Sequence, residues 1–149
     1  MTIEEAINID EFPSLAQKLN ANLAYTFTWT SDKLQEFYLK YGVTAQQHNV
    51  LRILKSRYPR GYTTSEILTH MMEKNAGVSR LVDRLVMKRL VIKEVNKGDK
   101  RLVDVVLSKK GMDVINELQL NRFQTDKVFE NLTHEEMNQL SLLLDKLRG

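Results

Sequence analysis

Apolar residues recur at helical spacing in six segments of the chain. The first stripe begins near Pro13 and ends before Gly42, which predicts a helix reaching about Tyr41. The other predicted helices follow in chain order: after Thr44, from Thr64 to about His70, from Asn75 to about Lys88, from Ser108 to Phe123 or as far as Phe129, and after Thr133. A Thr-x-x-Gln or Thr-x-x-Glu capping box supports three starts, at Thr44, Thr63 and Thr133.

The spacing of apolar residues changes from about 3.6 to about two between the fourth and fifth predicted helices. Residues 91–95 alternate, residues 96–100 have turn chemistry, and residues 102–107 are rich in β-branched side chains, which predicts a β-hairpin. A pair of helices joined by a short turn and followed by a hairpin is the order of elements in a winged helix-turn-helix. The predicted fold class is mainly α with a small β-hairpin. Residues 1–149 are predicted to form a single unit, and its winged helix-turn-helix lobe spans residues 44–107.

The terminal helices, over residues 12–42 and 109–148, carry broad apolar faces. A chain of 149 residues cannot easily bury three such faces against so small a winged-helix lobe. We therefore expect these segments to form a dimerisation lobe that packs against a second copy of the chain. The alternative is a monomer that buries the same faces internally.

Basic residues are concentrated in the predicted winged helix-turn-helix. Residues 50–111 carry 15 Lys and Arg against 6 Asp and Glu, whereas residues 1–49 carry 3 against 6 and residues 112–149 carry 4 against 7. The formal net charge of +3 therefore hides a strongly basic middle between two acidic flanks. Such a segment is typical of a surface that binds a polyanion, and it favours double-stranded DNA as a partner.

Signatures of enzymes and metal sites are absent from the sequence, so we predict a protein that is not an enzyme and holds no metal or cofactor. The 3 histidines lack metal-ligand spacing, and there is no cysteine to supply a thiolate or a disulfide. Neither a phosphate-binding Gly-rich loop nor a Gly-x-Ser-x-Gly motif occurs. No apolar run is long enough to span a membrane, and the acidic N-terminus is unlike a signal peptide, so we expect a cytoplasmic protein with no membrane partner.

The fourth predicted helix has the residues of a recognition helix. Its apolar residues occupy one stripe, and the opposite stripe consists of Asn75, Ala76, Ser79, Arg80, Asp83 and Arg84. Arg80 and Arg84 lie one turn apart on the same face, and an Arg side chain can read guanine O6 and N7 through two parallel hydrogen bonds. We expect all six residues to contact DNA. The alternative is a solvated helix face on which Asp83 pairs with Arg80 or Arg84.

The tip of the predicted hairpin supplies a second basic element, with Lys97, Lys100 and Arg101. A basic tip can follow the DNA backbone or insert an Arg into a narrow minor groove, where the negative potential is enhanced. Asp99 is the acid among them, and we interpret it as an Asx-type turn former that also orients Arg101. The alternative is a hairpin whose lysines serve only solubility.

These motifs resemble those of the MarR-type regulators, the multiple-antibiotic-resistance family of dimeric winged-helix repressors. The resemblance covers about residues 15–147. GVTAQQHNVLRIL is similar to the family's second helix, and SRLVDRL is similar to its recognition helix. The most specific part is the wing signature of Asp-x-Arg followed by Leu-Ser and Gly, at Asp99, Arg101, Leu107, Ser108 and Gly111. The resemblance implies that Asp99 positions Arg101 and that Arg101 reaches the minor groove.

Two positions depart from the family pattern. Arg89 stands where the family usually has Gly at the end of the recognition helix, a position that often needs φ > 0. We expect Arg89 either to alter the exit into the wing or to add a phosphate contact. Lys93 stands where the family has Arg, which keeps the charge but loses the planar guanidinium fork.

The resemblance also implies a candidate effector pocket for a small aromatic or anionic molecule, where the dimer helices meet the winged lobe. Tyr25, Phe27, Trp29 and His48 lie in segments that can line it. The alternative is that all four are ordinary core or dimer-interface residues. A thiol-sensing mechanism is excluded because the chain has no cysteine.

The sequence thus predicts a homodimeric DNA-binding transcriptional regulator that represses from a pseudo-palindromic operator. A small ligand is the candidate for relieving this repression. One alternative is a winged-helix module that binds protein and leaves its basic face solvated. Another is a sequence-neutral architectural DNA binder, which would bind any duplex with similar affinity.

Overall fold

The computed structural model describes residues 1–73 and 77–149. They form two compact units, one of residues 1–36 with 125–149 and the other of residues 37–124. The elements are, in chain order, α1 Ile3–Ile7, α2 Leu15–Leu39, α3 Ala45–Lys55, α4 Thr64–His70, α5 Val78–Met87, β1 Val91–Val95, β2 Val103–Leu107, α6 Lys109–Leu120, α7 Phe123–Asp126 and α8 His134–Arg148. This order confirms the mainly helical fold with a small β-hairpin.

Side-chain caps begin the helices where the sequence predicted them. Thr44, Thr63 and Thr133 each accept a hydrogen bond from a backbone N–H three residues on, and the Gln or Glu at that position accepts one from the Thr backbone. Each box satisfies two donors that the helix leaves unpaired, so these helices begin at defined residues. Thr2 and Glu5 form a fourth box that begins α1, a helix that the apolar pattern did not predict.

Two predicted helix boundaries were wrong. α2 ends at Leu39 rather than near Tyr41, because the backbone turns there and reaches a φ of 73° at Gly42. α6 ends at Leu120 instead of continuing to Phe123 or Phe129, and α7 and a short 3₁₀ turn at Lys127–Phe129 follow it. The predicted start of the recognition helix at Asn75 lies outside the described residues.

The core of the second unit is built from the apolar stripes of α3 and α5, as predicted. Its buried side chains on these helices are Val50, Leu51, Ile53, Leu54, Val78, Leu81, Val82 and Leu85. α6 adds Ile115 and Leu118 to the same core and packs along α3, where the Lys55 ammonium donates to the Asn116 carbonyl oxygen at 2.7 Å. The core therefore holds α5 rigidly by its apolar side.

The wing, which is the hairpin formed by β1 and β2, is tied to the connection between α3 and α4. β1 and β2 pair antiparallel, from Val91 opposite Leu107 to Val95 opposite Val103, which confirms the hairpin. Tyr62 exchanges two backbone hydrogen bonds with Val105, at 3.1 and 2.8 Å. This approach requires a glycine before Tyr62, because a Cβ at Gly61 would lie 2.5 Å from the Val105 carbonyl oxygen.

The first unit leaves much apolar surface uncovered. On α2, Leu15 and Phe27 are 82% and 70% exposed, and none of the residues of α8 is buried. Exposed apolar side chains in this number are typical of a protein that covers them by an interaction. The assignment of residues 12–42 and 109–148 to dimerisation stays a prediction. Over the described parts of the chain, the helices are all too short or too polar to cross a membrane.

Candidate nucleic-acid interface

α5 presents a basic face to solvent because its apolar stripe is buried. Ser79, Arg80, Asp83 and Arg84 are all exposed on it. Within residues 1–73 and 77–149, neither guanidinium on this helix has an ion-pair partner. Both are therefore available to an incoming acceptor such as a base edge or a phosphate. Asn75 and Ala76, the other two predicted contacts, lie outside the described residues.

Asp83 pairs with the wing rather than with its own helix. The Lys93 ammonium, on β1, lies 2.8 Å from Asp83 Oδ1. The alternative pairing of Asp83 with Arg80 or Arg84 is therefore wrong. The contact offsets the negative charge on the exposed face of α5 and links this helix to β1. Lys93, the departure from the family's Arg, is long enough to make this single bond.

The far end of α5 is held against the start of α3 by Lys88. Its ammonium donates to the Gly42 carbonyl at 2.6 Å and to Gln47 Oε1 at 2.9 Å. Gln47 is buried, and the same oxygen closes the capping box of α3. Sequence reasoning missed this link, although a polar Gln among buried α3 positions was a signal that a partner had to exist.

The chain leaves α5 through Arg89, whose φ is 60°. Arg89 therefore adopts the left-handed backbone conformation that a Gly would be expected to adopt at this position. The start of α6 supports this exit: Ser108 Oγ donates to the Arg89 carbonyl at 2.8 Å, and the Lys110 ammonium donates to the Lys88 carbonyl at 3.1 Å. These bonds satisfy carbonyls that the end of a helix leaves without partners. The Arg89 side chain is exposed.

Two side chains shape the wing tip. Asn96 Oδ1 accepts from the backbone N–H groups of Gly98 and Asp99, both at 2.8 Å, and its amide donates to Asp104 at 2.9 Å. Asp99 Oδ1 in turn accepts from the Arg101 backbone N–H at 3.0 Å. The predicted Asx turn at Asp99 is present, and Asn96 forms a second one that sequence reasoning missed.

Asp99 also orients the Arg101 side chain, as the sequence predicted. Arg101 Nε donates to Asp99 Oδ1 at 3.0 Å and its Nη2 donates to Oδ2 at 2.8 Å. These hydrogen bonds from Arg101 lower the pKa of the Asp99 carboxyl below its usual value, so the acid is ionised and paired. The guanidinium has five N–H donors, so three stay free for another acceptor. Lys97 and Lys100 are exposed beside it.

A shallow groove of about 380 Å³ lies between the starts of α4 and α5. Its polar lining consists of Thr64, Ser65, Ser79 and Arg80. Sequence reasoning did not single out Thr64 and Ser65. The capping box at Thr63 was the signal, because the first residues of the first helix of a helix-turn-helix lie near the DNA backbone.

The four predicted effector residues are divided between the two units. Tyr25 and Trp29 line a groove of about 500 Å³ in the first unit. Phe27, on another side of α2, does not line it. His48 belongs to the second unit, where its ring stacks on that of Tyr38 with centroids 4.4 Å apart. A single effector pocket made from all four residues stays a prediction.

His48 should make the protein less stable in mild acid. Burial, and secondarily the positive charge of Arg52, lower the pKa of His48 from 6.5 to about 4. The unfolded chain therefore binds this proton more readily than the folded chain, so the contribution to stability is complete above pH 6.5 and is lost as the pH falls towards 4. Urea unfolding at pH 7 and pH 5 measures the loss.

His48→Gln is the matched variant for this pH test, because it keeps a planar polar side chain but does not titrate. The wild-type protein should lose more stability than the variant between pH 7 and pH 5. Comparing the two proteins removes the contributions of all other titrating groups. Equal losses in both would show that His48 is not held neutral by the fold.

Three comparisons with known proteins agree with this geometry. A family model described as the MarR family matches residues 41–102. The HTH-type transcriptional repressor MdtR of Bacillus subtilis (strain 168) is 30% identical over 134 residues, which cover 89% of this chain and 85% of that protein. The crystal structure of a MarR transcription factor from Planctomyces limnophilus is 27% identical, with a TM-score of 0.68 over 91% of this chain and 98% of that one.

A further solved structure is similar in fold. A mutant MarR from E. coli, in a crystal structure described as complexed with operator DNA, has a TM-score of 0.76. The match covers 99% of this chain and 98% of that chain, at 24% identity. At this identity the match establishes the fold of nearly the whole chain, including the terminal helices.

Proposed function

The chain belongs to the MarR family of transcriptional regulators, and we propose that it is a homodimeric repressor that binds a pseudo-palindromic operator through α5 and the wing. Members of this family regulate transcription and are not enzymes. The observation that carries the proposal is the exposed basic face of α5, on which Arg80 and Arg84 have no ion-pair partner among the described residues, beside a wing whose Arg101 is already oriented by Asp99.

α5 is proposed to enter the major groove with its first turns against the base edges. Its buried stripe faces the core, so Ser79, Arg80 and Arg84 point away from the protein together. Each Arg can make two parallel hydrogen bonds to guanine, and the Ser can reach a base or a phosphate. The wing, with Lys97, Lys100 and Arg101, is proposed to follow the adjacent minor groove.

Dimerisation is proposed to use the apolar surface of the first unit. The exposed leucines of α2 and α8 need a partner, and a second copy of the chain supplies the same surface related by a two-fold axis. Two copies of α5 then face the same side of the duplex, so the operator would be an inverted repeat. A ligand that binds better to a dimer with another separation of the two helices would release the DNA.

Selection of the preferred duplex from random DNA, followed by binding at several salt concentrations, tests this proposal. We expect an inverted repeat, a complex with two protein chains of 17.3 kDa each, and a log–log salt slope of about −0.9 for every phosphate neutralised. Equal affinity for all duplexes would favour a sequence-neutral architectural protein. Absence of DNA binding would favour a module that binds protein.

Asp99→Ala should weaken DNA binding several-fold although it removes a negative charge from the wing. Without the two bonds from Asp99, Arg101 loses its orientation, and the cost of ordering its side chain is then paid on binding. Fluorescence anisotropy with the preferred duplex measures the change in Kd.

Glu94→Ala is the matched control for the Asp99 variant. Glu94 is an exposed acid on β1 of the same wing, and no bond in the described structure joins it to Arg101. Its removal changes the net charge equally but leaves Arg101 in place, so binding should stay equal or tighten slightly. Tighter binding by both variants would show that charge alone, and not orientation, governs the wing.

A further inference from the structure

A groove of about 500 Å³ in the first unit has the composition of a site for an organic cation. We propose that it binds lipophilic amines or quaternary ammonium compounds, and that such a molecule is the ligand that relieves repression. The second half of this statement rests on the proposed function, whereas the binding itself does not. The volume lies within the range of small-molecule sites, roughly 300–1,000 Å³.

The groove is lined mainly by small apolar and aromatic side chains, with Thr28 and Asp32 as its polar residues. Ala21 and Ala24 lie on consecutive turns of α2, and their small side chains leave space that larger residues would fill. Tyr25 and Trp29, one helical turn apart, stand beside this space, and Ile7 of α1 closes another side. The lining therefore suits a compact hydrophobic body about the size of a substituted benzene ring.

The charge at the groove selects the sign of the ligand. Asp32 is the one carboxylate in the lining, and among the described residues there is no Lys, Arg or His in it. Asp32 is exposed, and no bond to another described residue occupies it. A carboxylate in a lining that holds no cationic side chain attracts an ammonium group and repels an anion, so the groove is not suited to the anionic molecule that the family resemblance implied as one candidate effector.

The aromatic side chains also favour a positively charged ligand. Trp29 and Tyr25 are 40% and 37% exposed, so part of each ring is open to the groove. An ammonium group over the face of a Trp or Tyr ring is attracted by the negative potential of the ring, and Trp is the strongest partner. Asp32 follows Trp29 by three residues, which places the carboxylate on the same side of α2. One cation can therefore contact the ring and the carboxylate together.

α1 completes the groove and is firmly attached within the first unit. Ile3 is buried, and the Lys18 ammonium of α2 lies 2.7 Å from the Glu4 carboxylate. The Thr2 capping box fixes where α1 begins. Tyr25 and Trp29 also line a smaller cavity of about 310 Å³ together with Ile3, so α1 and these two aromatic side chains border the same space. The wall that Ile7 provides is thus part of the folded unit.

Three probes of the same shape and different charge test the proposal: para-tert-butylbenzylamine, which is a cation at neutral pH, para-tert-butylbenzyl alcohol and para-tert-butylbenzoate. Trp29 is the only tryptophan in the chain, so its fluorescence reports on the groove directly. With the full-length protein, the amine should give a saturable change and bind about tenfold more tightly than the alcohol. The carboxylate should bind more weakly than the alcohol.

Two variants test whether Asp32 causes the preference for the amine over the alcohol. Asp32→Asn should remove most of the preference for the amine over the alcohol, since only the attraction of the rings is left, and should leave the affinity for the alcohol unchanged. Glu36→Gln removes a carboxylate from the next turn of α2 that does not line the groove, so it should keep the preference for the amine. Equal binding of all three probes, tighter binding of the carboxylate, or no saturable change in fluorescence would overturn the proposal.

A filled groove and a DNA-release assay complete the test. Ala24→Phe should block every probe, while circular dichroism checks that the variant is folded. If it does not fold, Asp32→Asn decides the question alone. Release of the preferred duplex by the amine is measured separately. Binding of the amine without release leaves the cation site standing and contradicts only the relief of repression.

Discussion

Replacing both Arg80 and Arg84 by alanine should weaken binding to the preferred duplex by about 2–6 kcal/mol, since each guanidinium that reads a base contributes about 1–3 kcal/mol. Both side chains are exposed on the solvent face of α5, while the residues beneath them are buried, so the fold should survive the change. Competition binding with the preferred duplex and with unrelated DNA measures the loss. Specific binding should fall to the non-specific level.

Arg52→Ala is the matched control for the double variant. Arg52 is an exposed arginine of the same unit, but it lies on α3 and donates to Asn49. Its loss should leave base preference unchanged. If the double variant instead lowered affinity for all duplexes equally, the two arginines would be phosphate contacts and α5 would not read sequence.

Gly111→Ala should destabilise the second unit by about 3 kcal/mol, at the upper end of overpacking effects. A Cβ at Gly111 would lie 2.0 Å from the Leu90 carbonyl oxygen, which is backbone and cannot move without shifting the segment between α5 and β1. That carbonyl also accepts the Ser108 N–H at 3.0 Å, so the start of α6 would be displaced as well. Urea unfolding measures the loss of stability.

Gly77→Ala provides the comparison for this stability test. Among the described residues, the atom nearest to a Cβ there is Arg80 Cδ, at 4.0 Å, so these residues leave the space open. Its effect on unfolding should be small. If Gly111→Ala unfolded at the same urea concentration as the wild type, the close approach of α6 to Leu90 would not be a feature of the folded protein.

The helix starts and the buried stripes could be predicted because both depend on residues close together in sequence. A capping box needs only positions three residues apart, and an amphipathic stripe needs only one helix. The same locality made the Asp99–Arg101 pair predictable, since the two residues flank a single position. α1 was missed because its five residues are too few to show a period, although Thr2 and Glu5 carried the box.

The contacts that position the recognition helix could not be predicted because they join residues distant in sequence. Lys88 reaches back to Gln47, and Lys93 of the wing reaches Asp83. A pair within its own helix was the alternative considered for Asp83, and nothing local distinguishes that arrangement from the observed one. The role of Gly111 likewise depends on a carbonyl 21 positions earlier, at Leu90. The wing signature marked this glycine, and the structure supplies its physical reason.

Affinity for duplexes with altered half-site spacing tests the paired-helix mode of binding most directly. Two copies of α5 related by a two-fold axis can enter successive major grooves only if their separation matches one turn of DNA, roughly 34–36 Å or 10–10.5 base pairs. Insertion of about five base pairs between the half-sites places them on opposite faces of the duplex. Binding to this duplex should fall to the non-specific level, whereas undiminished affinity would contradict a rigid dimer that reads both half-sites.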